Sequence, residues 1–275
     1  MVFPTTKKQE EQLKRISEKM SRIKNKLLVM SGKGGVGKTS VAVNLALALS
    51  SKGKSTGILD IDIHGPNVPK MLGIEGTVLY ACEDGIEPVR INRSLKAVSI
   101  ALLTKDQDQP IIWRGPLKTA LIKQFLGDVN WGDLDYLIID APPGTGDEPL
   151  SVCQLLPNLT GAIIVTTPQE VAILDSRKSV MFAQKLNTPV IGIIENMSGF
   201  RCPKCGTEIY LFGKDGGQKA AEELNIPFLG RIPMDSEIVK YEDRGKPFII
   251  EREKTEAAKA FFQIVERIQE RLENE

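Results

Sequence analysis

Leu27-Leu28-Val29-Met30-Ser31-Gly32-Lys33-Gly34-Gly35-Val36-Gly37-Lys38-Thr39-Ser40 is the stretch that decides the fold. An apolar, β-favouring run leads into the pattern G-x-x-x-x-G-K-[ST], and a helical pattern, Lys38–Ser51, follows it. A strand, a glycine-rich loop and a helix in that order make a phosphate cradle. The glycines let successive backbone N–H groups turn toward phosphate oxygens, and the helix N-terminus adds partial positive charge. Lys38 is placed to reach the β- and γ-phosphates of a nucleotide, and the Thr39 hydroxyl to ligate Mg²⁺. Gly34, Gly35, Val36, Gly37 and Ser40 complete the lining. Lys33 is a second cation in a loop that needs only one. It reads either as a solvated surface charge or as a cation aimed at nucleotide charge, on this subunit or a neighbour.

Outward from this loop, short apolar runs alternate with helical patterns. Strands are expected at Leu27–Met30, Thr56–Asp60, Ala97–Ile100, Tyr136–Asp140, Ala162–Thr166, Val190–Glu195 and Phe228–Ile232. These runs are continuously apolar, as strands buried on both faces are. Helices are expected at Lys38–Ser51, Pro116–Leu126, Val171–Leu186, Gly216–Leu224 and Thr255–Glu273. The alternation predicts an α/β fold, a doubly wound and mostly parallel sheet flanked by helices. Leu13, Ile16, Met20 and Ile23 form one apolar stripe in an otherwise charged segment, which predicts an N-terminal amphipathic helix within residues 1–25, docked on the body or on a partner. Residues 26–275 read as a single domain, with no repeat or Pro/Gly/Ser-rich linker to divide them.

Two further strands end in carboxylates, at Asp60-Ile61-Asp62 and at Asp140-Ala141-Pro142-Pro143-Gly144. Ligands of open α/β sheets bind beyond the carboxyl ends of the strands, so these acids converge on the phosphate loop. One should hold Mg²⁺ or its waters and another should orient the attacking water. Asp140 is the Walker B candidate. The two prolines and Gly144 form a stiff turn, with Gly146 as a hinge, suited to sensing a γ-phosphate. Taken singly, each Asp is equally a cap or turn residue.

Cys202-Pro203-Lys204-Cys205-Gly206 places two thiols on one ion, inside the loop 200–212. A glycine after the second cysteine lets backbone N–H groups turn toward sulfur. A zinc or cluster site needs four ligands, and Cys82 and Cys153 read as ordinary thiols. Half a site suggests a homodimer that shares the whole across its twofold axis. An iron–sulfur cluster, a zinc ion, a redox pair and a purely structural knuckle remain open at this point. The redox reading is the weaker fit, because such a pair normally opens a helix after a strand.

The composition excludes some classes. Lys plus Arg number 36 and Asp plus Glu 35, a net charge of +1, so no large basic excess favours nucleic acid or anionic membrane. No apolar run approaches the ~20 residues of a membrane span, and no signal segment is evident. Four cysteines make no disulfide framework, which fits a reducing, cytoplasmic setting. One histidine, His64, cannot build a catalytic pair.

Ser31–Thr39 resembles the deviant Walker A loop of MinD/ParA-like ATPases, whose signature lysine corresponds to Lys33. Asp60-Ile61-Asp62-Ile63-His64-Gly65-Pro66-Asn67-Val68-Pro69, Asp140-Ala141-Pro142-Pro143-Gly144-Thr145-Gly146-Asp147, and Glu195-Asn196-Met197-Ser198 leading to the cysteine pair together resemble the Mrp/ApbC family of iron–sulfur cluster carrier ATPases. The resemblance implies that Lys33 crosses a homodimer interface to the partner's nucleotide. It also implies that Asp62 activates water, that Asp60 sits near the metal, that Asn196 reads the adenine and that the segment around Pro233 packs on that base. ATP, Mg²⁺ and a [4Fe–4S] cluster bridged by Cys202 and Cys205 of two subunits are the implied cofactors. Apo iron–sulfur proteins are the implied recipients. Many relatives carry an aromatic at the position of His64, a serine at that of Asn67, and an extra N-terminal domain where this chain has a short helix. A positioning ATPase acting on membrane or DNA is the alternative, resting on the apolar face Phe261, Phe262, Ile264, Val265, Ile268 and Leu272. That face carries glutamates opposite rather than the Lys and Arg of membrane helices, and packing against the sheet is the better expectation. An ATP-dependent small-molecule ligase would leave the cysteine pair idle.

Overall fold

Alternate residues of the strand Ile23–Met30 (β1) face opposite sides of the sheet, and both sides are apolar. Leu27 and Val29 join one core layer, while Leu28 and Met30 join the other. A strand buried on both faces must lie in mid-sheet, and β1 does. The computed structural model describes residues 7–103 and 115–274. Before β1 comes α1 (Lys7–Ser21), and after it follow α2 (Lys38–Ser51), β2 (Thr56–Asp60), α3 (Val68–Met71), β3 (Tyr80–Cys82), β4 (Gly85–Glu87), β5 (Val89–Arg90) and β6 (Leu95–Ser99). Next are α4 (Gly115–Gly127), β7 (Leu134–Asp140), α5 (Asp147–Leu155), β8 (Gly161–Thr166), α6 (Glu170–Lys185) and β9 (Val190–Glu195). The chain ends with β10 (Phe200–Arg201), β11 (Glu208–Ile209), α7 (Gly216–Glu223), β12 (Phe228–Arg231), α8 (Ser236–Glu242), α9 (Phe248–Glu251) and α10 (Glu256–Asn274).

The main sheet has the order β12-β9-β8-β1-β7-β2-β6-β5. Its strands run parallel except β5, which pairs antiparallel to β6 at one edge. The expected doubly wound, mostly parallel sheet is therefore present. The α2 and α10 helices cover one face, and α1, α4, α6 and α7 contribute to the other layer. From β1 the strands are added first toward β2 and β6 and later toward β8, β9 and β12 on the other side, so the loop after β1 opens into the crevice where such sheets take ligands.

The two amphipathic terminal helices are both absorbed by the body. On α1, Ile16 and Met20 are buried in the layer that holds Phe125 and Leu126 of α4, while Leu13 stays exposed. The boundary expected at residue 26 falls inside β1, because Ile23 belongs to that strand and its side chain to the core. On α10, Phe261, Ile264, Val265 and Ile268 are buried in the α2 layer, as packing against the sheet requires. Among the described residues no helix is long and apolar enough to cross a membrane.

Candidate active site and thiol hairpin

Parallel pairing brings the two acid-bearing strand ends side by side. Asp60 of β2 stands in register with Asp140 of β7, and Asp140 stands in register with Val29 of β1, at the mouth of the phosphate loop. The loop itself is possible because Gly35 and Gly37 take left-handed backbone angles, φ +80° and +77°. At Gly37 the space is also full: a Cβ there would lie 2.3 Å from Asn196 Nδ2.

Asp140 is fully buried, and both of its oxygens are engaged. Lys38 Nζ donates to Oδ1 at 2.5 Å and Thr39 Oγ1 donates to Oδ2 at 2.7 Å. Burial pushes the Asp140 carboxyl above the usual range, opposed by Lys38 and Thr39. Asp62 Oδ2 lies 3.8 Å from the same ammonium. Thr39 and Asp140 form a compact pair of hard oxygen donors, the kind of set that suits Mg²⁺. Gly144 N–H donates to the Ser31 carbonyl at 2.7 Å, tying the proline turn to the phosphate loop.

Asp60 is held by the turn that follows its own strand. Its Oδ2 accepts from Ser99 Oγ at 2.8 Å and its Oδ1 from the Asp62 backbone N–H at 3.0 Å. With no exposed surface, it does not line the cleft. Burial, and then the neighbouring Asp140, push its carboxyl up to about 8. Asp60 thus faces Ser99 and the turn to Asp62, whereas Asp140, equally buried, faces Lys38 and Thr39 of the phosphate loop. Asp60 shapes the turn that presents Asp62.

The cleft encloses about 690 Å³ and is lined by the whole phosphate loop from Lys33 to Ser40, by Asp62 and His64, and by Asn196 and Pro233. The sequence-expected nucleotide residues are thus gathered in one place. Asn196 Nδ2 donates to the Val36 carbonyl at 2.9 Å. Lys33 Nζ lies 3.3 Å from Gln169 Oε1 at the start of α6. Glu242, a buried acid that sequence reading missed, also lines the cleft. It accepts from Ser40 Oγ at 2.5 Å and from Asn44 Nδ2 at 2.9 Å, and burial raises its carboxyl. Glu195, quoted in a motif without a role, is fully buried and accepts from Ser198 Oγ at 2.5 Å and the Gly217 N–H at 2.6 Å. It anchors the segment that carries Asn196.

The cysteine pair lies on the antiparallel hairpin β10–β11, not at a helix start. Cys202 N–H donates to the Thr207 carbonyl at 2.9 Å and Gly206 N–H to the Cys202 carbonyl at 2.8 Å. Gly206 has φ +73°, which closes the knuckle. Cys205 is exposed, and its Sγ lies 3.2 Å from Thr207 Oγ1. Hydrogen bonds from the Thr207 hydroxyl and backbone, then from Cys202, lower its thiol to about 7. Cys153 is half-buried and shifted the other way by burial, and Cys82 lies on the β3–β4 hairpin. Among the described residues no set of three or more His, Cys, Asp or Glu could hold a metal ion.

The hairpin is fixed to the nucleotide cleft by a short strip of chain. Ser198 N–H donates to the Ile232 carbonyl at 2.9 Å and Met234 N–H to the Gly199 carbonyl at 2.8 Å, with Phe200 bridged to Met234. Asn196 and Pro233, both lining the cleft, sit at the root of the same strip.

A parallel sheet with this loop, this lysine and these strand-end acids defines a P-loop NTPase. Residues 22–269 match the family model described as ParA, the NUBPL iron-transfer P-loop NTPases, and the chain belongs to that family. It is an ATPase. It is 53% identical over 271 residues to a protein of Methanocaldococcus jannaschii named iron-sulfur cluster carrier protein, a match covering 98% of this chain and 93% of that one. A protein of the same name from Saccharolobus solfataricus is 49% identical, with 92% and 86% covered. Among solved structures, the nucleotide-binding protein of Archaeoglobus fulgidus in complex with ADP superposes with a TM-score of 0.77 at 40% identity, covering 91% and 96%. MinD of Aquifex aeolicus shares the fold, with a TM-score of 0.64 at 22% identity and 90% and 97% covered.

Proposed function

We propose that this chain is an iron–sulfur cluster carrier whose homodimer holds a [4Fe–4S] cluster between two Cys202–Cys205 pairs and delivers it to apo-proteins, with ATP binding and hydrolysis changing how tightly the dimer grips its cargo. The observation that carries the reading is a two-thiol hairpin joined by hydrogen bonds to the base end of a nucleotide cleft. A cubane cluster takes four thiolates and one subunit offers two, so a twofold pair of hairpins supplies the set. Lowering of the Cys205 thiol toward neutrality favours the thiolate that such a cluster needs. The name carried by relatives about half identical to this chain supports the same cargo.

Thr39 and Asp140 would hold Mg²⁺ on the phosphates of ATP, where the ion offsets charge on the transferring group. Lys38 binds the terminal phosphates, and Lys33 supplies a second cation, from the partner subunit when the dimer is closed. Asp62, presented by the Asp60 turn, aligns the attacking water. Asn196 and Pro233 receive the adenine. Nucleotide state can bias cluster affinity only through unequal grip in the two states, and the strip from Asn196 to Cys202 offers a covalent route for that bias.

The test is anaerobic loading with iron and sulfide. The expected result is about four irons per dimer with absorbance near ~400 nm, the signature of Cys-ligated clusters. A Cys202→Ser, Cys205→Ser double variant that keeps the cluster would reject the site. Uptake of zinc alone under the same conditions would reject the cargo.

A further inference from the structure

Lys118 and Glu148 form a charge pair at the edge of the nucleotide cleft that the reading above leaves unused. Lys118 lies in the first turns of α4, and its Nζ donates to Glu148 Oε1 at 2.7 Å, with the two side chains only 14% and 7% exposed. Burying such a pair removes two charges from water, and the attraction often fails to offset that loss, so stability alone is a weak reason for it. Its location suggests another. Glu148 opens α5, directly after the Pro142–Gly146 turn. The same Lys118 Nζ lies 3.2 Å from His64 Nε2, on the loop that follows β2. His64 in turn donates its backbone N–H to Asp62 Oδ1 at 3.2 Å. One ammonium therefore touches both segments that flank the phosphate end of the cleft. A second tie, Thr119 Oγ1 to Ser151 Oγ at 3.3 Å, keeps α4 and α5 together one step further along. Neither Lys118 nor Glu148 lines the cleft, whereas Asp62, His64 and Pro143 do.

We infer that Lys118 is a positioning residue for ATP hydrolysis: by bridging His64 and Glu148 it sets the spacing between the Asp62 carboxylate and the Pro142–Gly146 turn. The inference rests on the reading of Asp62 as the group that aligns water. A cation that touches no nucleotide should affect turnover rather than ATP binding, since small misplacements of a reacting group are felt mainly in the chemical step.

The experiment is steady-state ATPase kinetics on the full chain for Lys118→Met, Lys118→Arg, Glu148→Gln and Asp62→Asn, with melting temperatures for each. Lys118→Met and Glu148→Gln should lower kcat by about 10- to 100-fold with KM within about twofold of the parent. Lys118→Arg, which keeps a cation, should restore most of the turnover. If Lys118→Met does not fold, Glu148→Gln and Lys118→Arg decide: the inference requires the first to lose kcat with KM held and the second to retain it. Unchanged kcat in Lys118→Met, or activity lost only in proportion to folded protein, overturns the inference while Asp62→Asn is inactive. Full turnover in Asp62→Asn instead overturns the reading of Asp62 beneath it.

Discussion

Asn196 and Val36 are joined directly, the side-chain amide of one donating to the backbone carbonyl of the other at 2.9 Å. The segment just after β9 and the phosphate loop are thereby tied together, and the position of Asn196 depends on the loop. Replacing Asn196 by Ala removes this bond and, on the proposed reading, the polar group that receives the adenine. About one hydrogen bond's worth of free energy corresponds to a loss of ATP affinity of roughly 10-fold. Calorimetric titration with ATP checks it. Gly37→Ala should be worse than Asn196→Ala, because it adds an unfavourable φ of +77° to a 2.3 Å collision with the same amide.

Lys38→Ala strips the buried Asp140 of its cation and the phosphates of theirs. Truncating one partner of a buried charged pair costs about 2–5 kcal/mol, so ATP affinity should fall by at least about 30-fold. The thiol hairpin is anchored through Ser198, Gly199 and Phe200 rather than through Lys38, and iron and sulfide loading should be retained. Loss of loading in a folded Lys38→Ala protein would contradict the separation of grip and cargo.

The thiols should differ in reactivity at neutral pH. With its pKa near 7, Cys205 is substantially thiolate there, whereas burial holds Cys153 protonated. Alkylation of reduced, metal-free protein, followed by mass spectrometry, should label Cys205 well before Cys153. The Cys205 rate should rise across pH 6–8 and level off above, whereas Cys153 should keep rising at higher pH. Thr207→Val removes the hydroxyl nearest the sulfur and should move the Cys205 profile upward.

Glu242 gives stability a pH dependence of a definite sign. Its folded-state carboxyl is raised by burial, so the folded chain holds a proton that the unfolded chain releases more readily. This contribution is fully present below the unfolded value of 4.5 and is lost as pH rises through the folded value. Glu242→Gln cannot ionise and keeps an oxygen for Ser40 and Asn44. Its melting temperature, relative to the parent, should therefore climb by a few degrees between pH 4 and pH 8. A constant difference across that range would show that Glu242 carries no raised pKa.

Much of the fold was legible because its strands are long, apolar on both faces and punctuated by helices. Thr56–Asp60 and Val190–Glu195 fall where continuous apolar runs place them, and Lys38–Ser51 where the glycine loop ends. The β3–β4 hairpin, the edge strand β5 and the short helices α8 and α9 escaped notice. Each is only a few residues long, and Tyr80 to Cys82 is exposed throughout, so no apolar period marks them. The phosphate loop and the cysteine pair were legible for the opposite reason, since their chemistry is written in adjacent residues. Glu242, Lys118 and Glu148 were not, because each acts on a segment distant in sequence and is an ordinary helix-surface residue type until the fold closes. Asp60 shows the remaining gap: a strand end gives a carboxylate its address, but only Ser99 and the Asp62 amide decide what its oxygens face.

The thiol hairpin is built from strands of only two residues each, and Ile209, Tyr210 and Leu211 beside it stay in solvent, so it owns no interior to orient it. Its heading is borrowed from the strip that starts at Asn196. Side chains along an extended chain alternate in direction, so a single residue inserted between Arg201 and Cys202 would swivel the sulfurs to the opposite flank. The thiols ride on the segment that follows Asn196, and the length of that tether sets the direction in which the sulfurs look.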